Sequence, residues 1–167
     1  EPCGVAVHGL SKGIVSGKTL AIFGCGPIGL FAVQAALAYG AARVYAIDLS
    51  ENRLKMAQSF GAAKVFHADK DPLEKTILDE TQGIGADMVL EVSGSQKAYD
   101  QGLRILRKAG TFVVIGLPSK PIQLEIPTNV MYKEARIFGI TGREMYQTWY
   151  QVSALIQSRK VNLEKVV

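Results

Sequence analysis

The sequence predicts an α/β fold, a doubly wound parallel six-stranded sheet with strand order 3-2-1-4-5-6. Three observations carry that expectation. Short β-branched runs alternate with longer helical stretches, which argues for parallel strands joined by crossover helices. The alternation occurs twice along the chain, as two similar halves. Gly and Pro fall mostly at the joints, where turns and caps favour them.

Taken in order, residues 19–24 (TLAIFG) read as the first buried strand, and residues 27–39 as a helix closed by Gly40. Residues 43–48 (RVYAID) form the second strand and 51–60 the second helix, closed by Gly61. Residues 64–67 make a short third strand, and 72–80 a helix with a polar face. The second half runs through a strand at 87–92, a helix at 96–106 and a strand at 111–117. A short extra strand is expected at 122–126, then a helical turn near 127–132. Residues 136–141 are the last main strand and 146–157 a C-terminal helix. The whole of residues 1–167 is expected to be one domain, since that length suffices for one substantial core.

Composition narrows the function. Hydrophobic residues at 48% and charged residues at 20% place the chain among ordinary globular proteins. No apolar run nears the roughly 20 residues that span a bilayer, so no membrane partner is expected. The first residues, Glu1-Pro2-Cys3-Gly4, do not read as a signal peptide. They also lack an initiator Met, which suggests an excised fragment. The net charge is +4, and the basic residues are scattered. Nucleic-acid binding needs a basic stripe, so it is not expected. The two cysteines, Cys3 and Cys25, are too few for a disulfide framework and fit a reducing cytoplasm. With two His besides, no metal-ligand spacing is present, and no metal site is expected within this chain.

The informative motif is Gly24-Cys25-Gly26-Pro27-Ile28-Gly29, a match to G-x-G-x-x-G between a strand and a helix. Gly24 permits the tight turn, Gly26 lets a pyrophosphate approach the backbone, and Gly29 allows close helix packing. Pro27 suits the first helical turn, and the helix start presents N–H groups and a positive dipole end to phosphates. Asp48 lies 19 residues beyond Gly29, at the end of the second strand. There a carboxylate accepts from ribose hydroxyls and repels a 2′-phosphate, favouring NAD over NADP. Arg53 either lines the adenine side or pairs with a neighbouring acid on an exposed helix. FAD and S-adenosylmethionine sites also use glycine-rich turns, but no second flavin motif is present and the glycine spacing differs from that of methyltransferases.

Several segments, in order, resemble the zinc-dependent medium-chain dehydrogenases. They are Glu1-Pro2-x-Gly4-x-Ala6-Val7-His8, Ser16-Gly17-Lys18, the glycine loop, Asp48 and Glu91-Val92-Ser93-Gly94. The most discriminating stretch, Gly139-Ile140-Thr141-Gly142-Arg143 with Thr148-Trp149-Tyr150, resembles the threonine-oxidising branch more than the sorbitol, butanediol or simple alcohol branches. Val5 departs from that branch, which often has Asn there.

The resemblance implies a Rossmann domain that binds NAD(H) through Gly24, Gly26, Pro27, Ile28, Gly29, Asp48 and Arg53. It places Ile115, Gly116 and Leu117 beside the nicotinamide ribose, and Ile140 and Thr141 by the nicotinamide amide. Core packing is the other reading for Ile115 and Leu117. Glu1 resembles an acid that assists a proton relay near the catalytic zinc, and His8 fits the pattern with a structural role. Cys25 is read as packing. Zinc is implied for the intact enzyme, bound by a catalytic domain outside residues 1–167, so this chain alone is expected to be inactive. The implied reaction converts L-threonine to 2-amino-3-oxobutanoate with hydride transfer to NAD. The implied assembly is a homo-oligomer, often a tetramer, in the cytoplasm. The alternatives are another polyol or secondary-alcohol dehydrogenase, or a free-standing NAD-binding module.

Overall fold

The computed structural model describes residues 1–166. Its chain order is α1 (Pro2–Leu10), β1 (Thr19–Phe23), α2 (Pro27–Ala38), β2 (Arg43–Asp48), α3 (Glu51–Ser59), β3 (Lys64–His67) and α4 (Leu73–Glu80). It continues with β4 (Ala86–Glu91), α5 (Gln96–Ile105), β5 (Leu106–Val114), a π-helical turn (Pro127–Met131), β6 (Arg136–Gly139) and α6 (Gln147–Gln157). All strand pairs are parallel. The sheet order is β3-β2-β1-β4-β5-β6, as expected.

Alternate residues of the central strands feed two separate cores, because successive side chains of a strand point to opposite faces. Leu20 and Ile22 of β1, Val44 and Ala46 of β2, and Met88 and Leu90 of β4 pack under α1, α2, α3 and α6. Ala21 and Phe23, Tyr45 and Ile47, and Val89 pack on the opposite face under α4 and α5. Double-sided burial explains why these strands read as continuous apolar runs.

Three elements differ from expectation. Helix α1 is an addition to the expected elements, and its residues are buried nearly all round. No polar face exists to give its sequence a helical period. Strand β5 begins at Leu106, five residues early, and its pairing with β4 is irregular between Ala86 and Met88. Residues 122–126 form no strand. The place beside β5 is taken by β6, and the Gln96 side chain instead pairs with the backbone of Gln123 at 2.7 and 2.9 Å. Among the described residues, no helix is long and apolar enough to cross a membrane.

Candidate cofactor site

The site lies at the carboxyl ends of β1 and β4, where the strand order reverses, the place where open parallel sheets bind ligands. Gly24 leaves β1 at φ +97°, a left-handed conformation that suits glycine. Its N–H donates to the Ile47 carbonyl at 2.8 Å, which ties the loop to β2. Gly26 is the N-cap of α2, and a Cβ placed there would meet nothing within 4 Å. Gly29 is the opposite case: its Cβ would lie 1.8 Å from the Gly24 carbonyl oxygen. The close packing expected of this glycine is thus mainly of helix on loop.

Asp48 holds the loop together. Its Oδ2 accepts from the Cys25 N–H at 2.6 Å and its Oδ1 from the Ser50 N–H at 2.8 Å. Arg53 Nη1 lies 3.9 Å from the same carboxylate and is largely exposed. Arg53 thus meets the reading of an exposed helix residue paired with a neighbouring acid, which is Asp48, and it also lines the cleft. Cys25 is fully buried, and its thiol donates to the Ile47 carbonyl at 3.6 Å. Burial, with the nearby Asp48 charge, pushes that thiol up to about 12. A thiol so far from ionisation is a packing group and not a nucleophile.

These parts wall a cleft of about 840 Å³, within the size range of ligand pockets. Gly24, Gly26, Pro27, Ile28, Asp48 and Arg53 all line it. So do residues that the sequence did not single out for the site: Leu49 and Ser50 after β2, Ala68 and Asp69 after β3, Ser95, and Lys97, Ala98 and Gln101 of α5. Their signal was only positional, in the segments that follow β2, β3 and β4. Lys97 donates to Asp69 across the rim at 2.5 Å.

Gly29, Ile115, Gly116, Leu117, Ile140 and Thr141 are not among the cleft-lining residues. The Ile115 and Gly116 N–H groups donate to the Glu91 carbonyl at 2.8 and 2.9 Å. Gly116 has no room for a side chain, because a Cβ would sit 2.3 Å from Gly94 N. Ile115 does pack against the core, whereas Leu117 is 89% exposed and does not. Ile140 donates its N–H to the Val114 carbonyl at 3.0 Å, and Thr141 is exposed just beyond β6. These two segments follow the carboxyl ends of β5 and β6, in the second half of the sheet.

Glu91 is a further buried group. Its Oε1 accepts from the Ser93 N–H, the Ser93 hydroxyl and the Gly94 N–H at 2.8, 2.6 and 2.9 Å. Burial raises its carboxyl above the usual range despite these donors. It shapes the Val92–Ser93 wall of the cleft. Glu1 lies elsewhere, paired with Arg143 at 3.0 Å, and the Arg143 guanidinium stacks 4.6 Å from the Trp149 ring centre.

A dinucleotide fits these residues: open backbone at Gly26 faces the cleft beside a helix start, and a carboxylate stands at the next strand end. A zinc ion does not, since no three His, Cys, Asp or Glu side chains converge among the described residues.

The L-threonine 3-dehydrogenase of Caldanaerobacter subterraneus subsp. tengcongensis is 42% identical over 158 residues, covering 95% of this chain and 46% of that protein. That of Bacillus velezensis is 44% identical over 170 residues, covering 100% and 48%. Among solved structures, 2R,3R-butanediol dehydrogenase from Bacillus subtilis matches with a TM-score of 0.89 at 30% identity, over 99% of this chain and 47% of that one. The chain spans about half the length of the curated relatives it matches. The profile of the zinc-binding dehydrogenases matches residues 27–158, and the chain belongs to that family.

Proposed function

We propose that the chain is the NAD(H)-binding domain of a zinc-dependent L-threonine 3-dehydrogenase. The observation that carries the cofactor reading is the pairing of Gly26, open to the cleft, with the Asp48 carboxylate on its wall. The first turn of α2 offers N–H groups and a positive dipole end to the pyrophosphate. Asp48 keeps lone pairs for ribose hydroxyls while it braces the loop through the Cys25 and Ser50 N–H groups. Arg53 lines the adenosine end. The segments Ile115–Leu117 and Ile140–Thr141 stand toward the nicotinamide end, and Glu1 is assigned to the proton relay of the intact enzyme. Bound NAD supplies a hydride acceptor, through which L-threonine becomes 2-amino-3-oxobutanoate. The domain's own work is orientation. The zinc in the family's name has no ligand set among the described residues.

The substrate reading rests on relatives 42% and 44% identical that carry the threonine name. The 0.89 TM-score to a butanediol dehydrogenase favours a second reading, a secondary-alcohol dehydrogenase of that type. Assay of the intact protein on threonine against 2,3-butanediol and sorbitol separates the two. Two buried free thiols fit a reducing cytoplasm, and assembly as a homo-oligomer completes the proposal.

The cofactor reading is tested by calorimetric titration of the chain with NAD and NADP. NAD should bind more tightly, and Asp48→Ala should narrow the difference by removing the like charge that faces a 2′-phosphate. Equal affinities in the unmodified chain would count against the role given to Asp48.

A further inference from the structure

The loop that follows β6 is gripped from below by α1, through a residue with no part in the cleft. His8 is largely covered. Its Nδ1 lies 2.9 Å from the Gly142 carbonyl oxygen. A carbonyl can only accept, so Nδ1 carries a hydrogen and donates. Its Nε2 faces Glu144 Oε1 at 3.2 Å. Lys12, in the turn just beyond α1, donates to the same Glu144 oxygen at 2.8 Å. That ammonium, with a smaller pull from His8, holds the Glu144 carboxyl below the ordinary range, so the anion persists. Gly142 turns the chain between these two points at φ +59°.

The grip acts on a short span. Ile140 is tied to β5 through its N–H on the Val114 carbonyl, Gly142 is tied to α1 through His8, and Glu144 is held by His8 and by Lys12 in the turn after α1. Ile140 and Thr141 are thus fixed at both ends. A doubly wound sheet is built of two mononucleotide-binding halves. Here β1 and β2 carry the glycine loop and Asp48, and β4, β5 and β6 form the second half. On that division the loop after β6 would stand toward the nucleotide that Asp48 does not hold.

We propose that His8, acting with Lys12 and Glu144, is a positioning residue for the nicotinamide half of the dinucleotide. It clamps the loop that presents Ile140 and Thr141, and leaves the adenosine half untouched. This rests on the cofactor reading above.

The test is titration of the chain and its His8→Ala, His8→Gln and Glu144→Ala variants with NADH and with ADP-ribose, which lacks the nicotinamide. His8→Ala and Glu144→Ala should weaken NADH about fivefold, the worth of one ordinary hydrogen bond, with ADP-ribose affinity unchanged. His8→Gln should recover part of the loss, because its amide N–H can still donate to the Gly142 carbonyl. Parallel loss of both ligands in Glu144→Ala and His8→Gln overturns the proposal, because the clamp then serves the fold alone. So does an unchanged NADH affinity, or an unmodified chain that binds NADH no better than ADP-ribose. An unmodified chain that binds neither ligand overturns the cofactor reading itself.

Discussion

Gly26 and Gly29, three positions apart in one loop, lack side chains for opposite reasons. At Gly26 the space is open and the backbone ordinary, at φ −70°. Gly26→Val should cost only about 0.5–1 kcal/mol, in the range of N-cap exchanges, yet abolish NAD binding by filling the approach to the helix start. At Gly29 even one carbon would sit 1.8 Å from the Gly24 carbonyl oxygen. Gly29→Ala should therefore destabilise the chain by about 2 kcal/mol or more, as overpacking against backbone does. Paired denaturation and calorimetry separate the cases, and undiminished NAD binding by Gly26→Val would remove the loop from the site. This distinction was legible in the sequence because each glycine of the motif answers a separate backbone demand. Asp48 was legible for its place at a strand end, but its bracing of the Cys25 and Ser50 N–H groups was not. Nor was the bonding of Glu91, whose partners two and three residues onward meet it only because the turn after β4 folds back.

Elements were readable where period and punctuation agreed, and lost where a distant side chain decided the outcome. Strands β2 and β3 fall where expected, each with a β-branched and aromatic centre between turn residues. Helix α5 ends against Lys133, a residue from the far side of the π-helical turn. Its Nζ donates to the carbonyls of Leu103, Arg104 and Leu106 at 2.6, 2.8 and 2.8 Å. Nothing local to residues 96–106 foretells that cap. Burial lowers the Lys133 pKa below the usual lysine range, the mark of an ammonium that has given up water for three acceptors. Lys133→Met keeps the stem and removes the donors, leaving carbonyl groups of the helix end without them. Its expected cost is about 1–3 kcal/mol, read as a lower denaturant midpoint with an unchanged slope. A midpoint equal to that of the unmodified chain would mean that water caps α5 just as well.

At the scale of the molecule, the sheet has two edges of different character. Edge strand β3 begins with Lys64, whose ammonium pairs with Glu80, and its Phe66 is buried. Edge strand β6 is exposed at every position, and Ile137 and Phe138, on opposite faces, are each 38% exposed. An apolar edge with unpaired backbone groups is a template for another strand. Proteins usually blunt such an edge with charge, yet only Arg136 at its start provides any. Isologous pairing of β6 with the β6 of a second copy, across a two-fold axis, would join two sheets and cover both side chains. The chain should then sediment as a dimer at micromolar concentration, and Ile137→Lys should shift it toward monomer by placing a charge on the paired edge. Cofactor affinity should survive the change, because Ile137 lies outside the cleft. A chain that sediments as a monomer throughout would mean that the apolar residues of β6 are covered by some other surface.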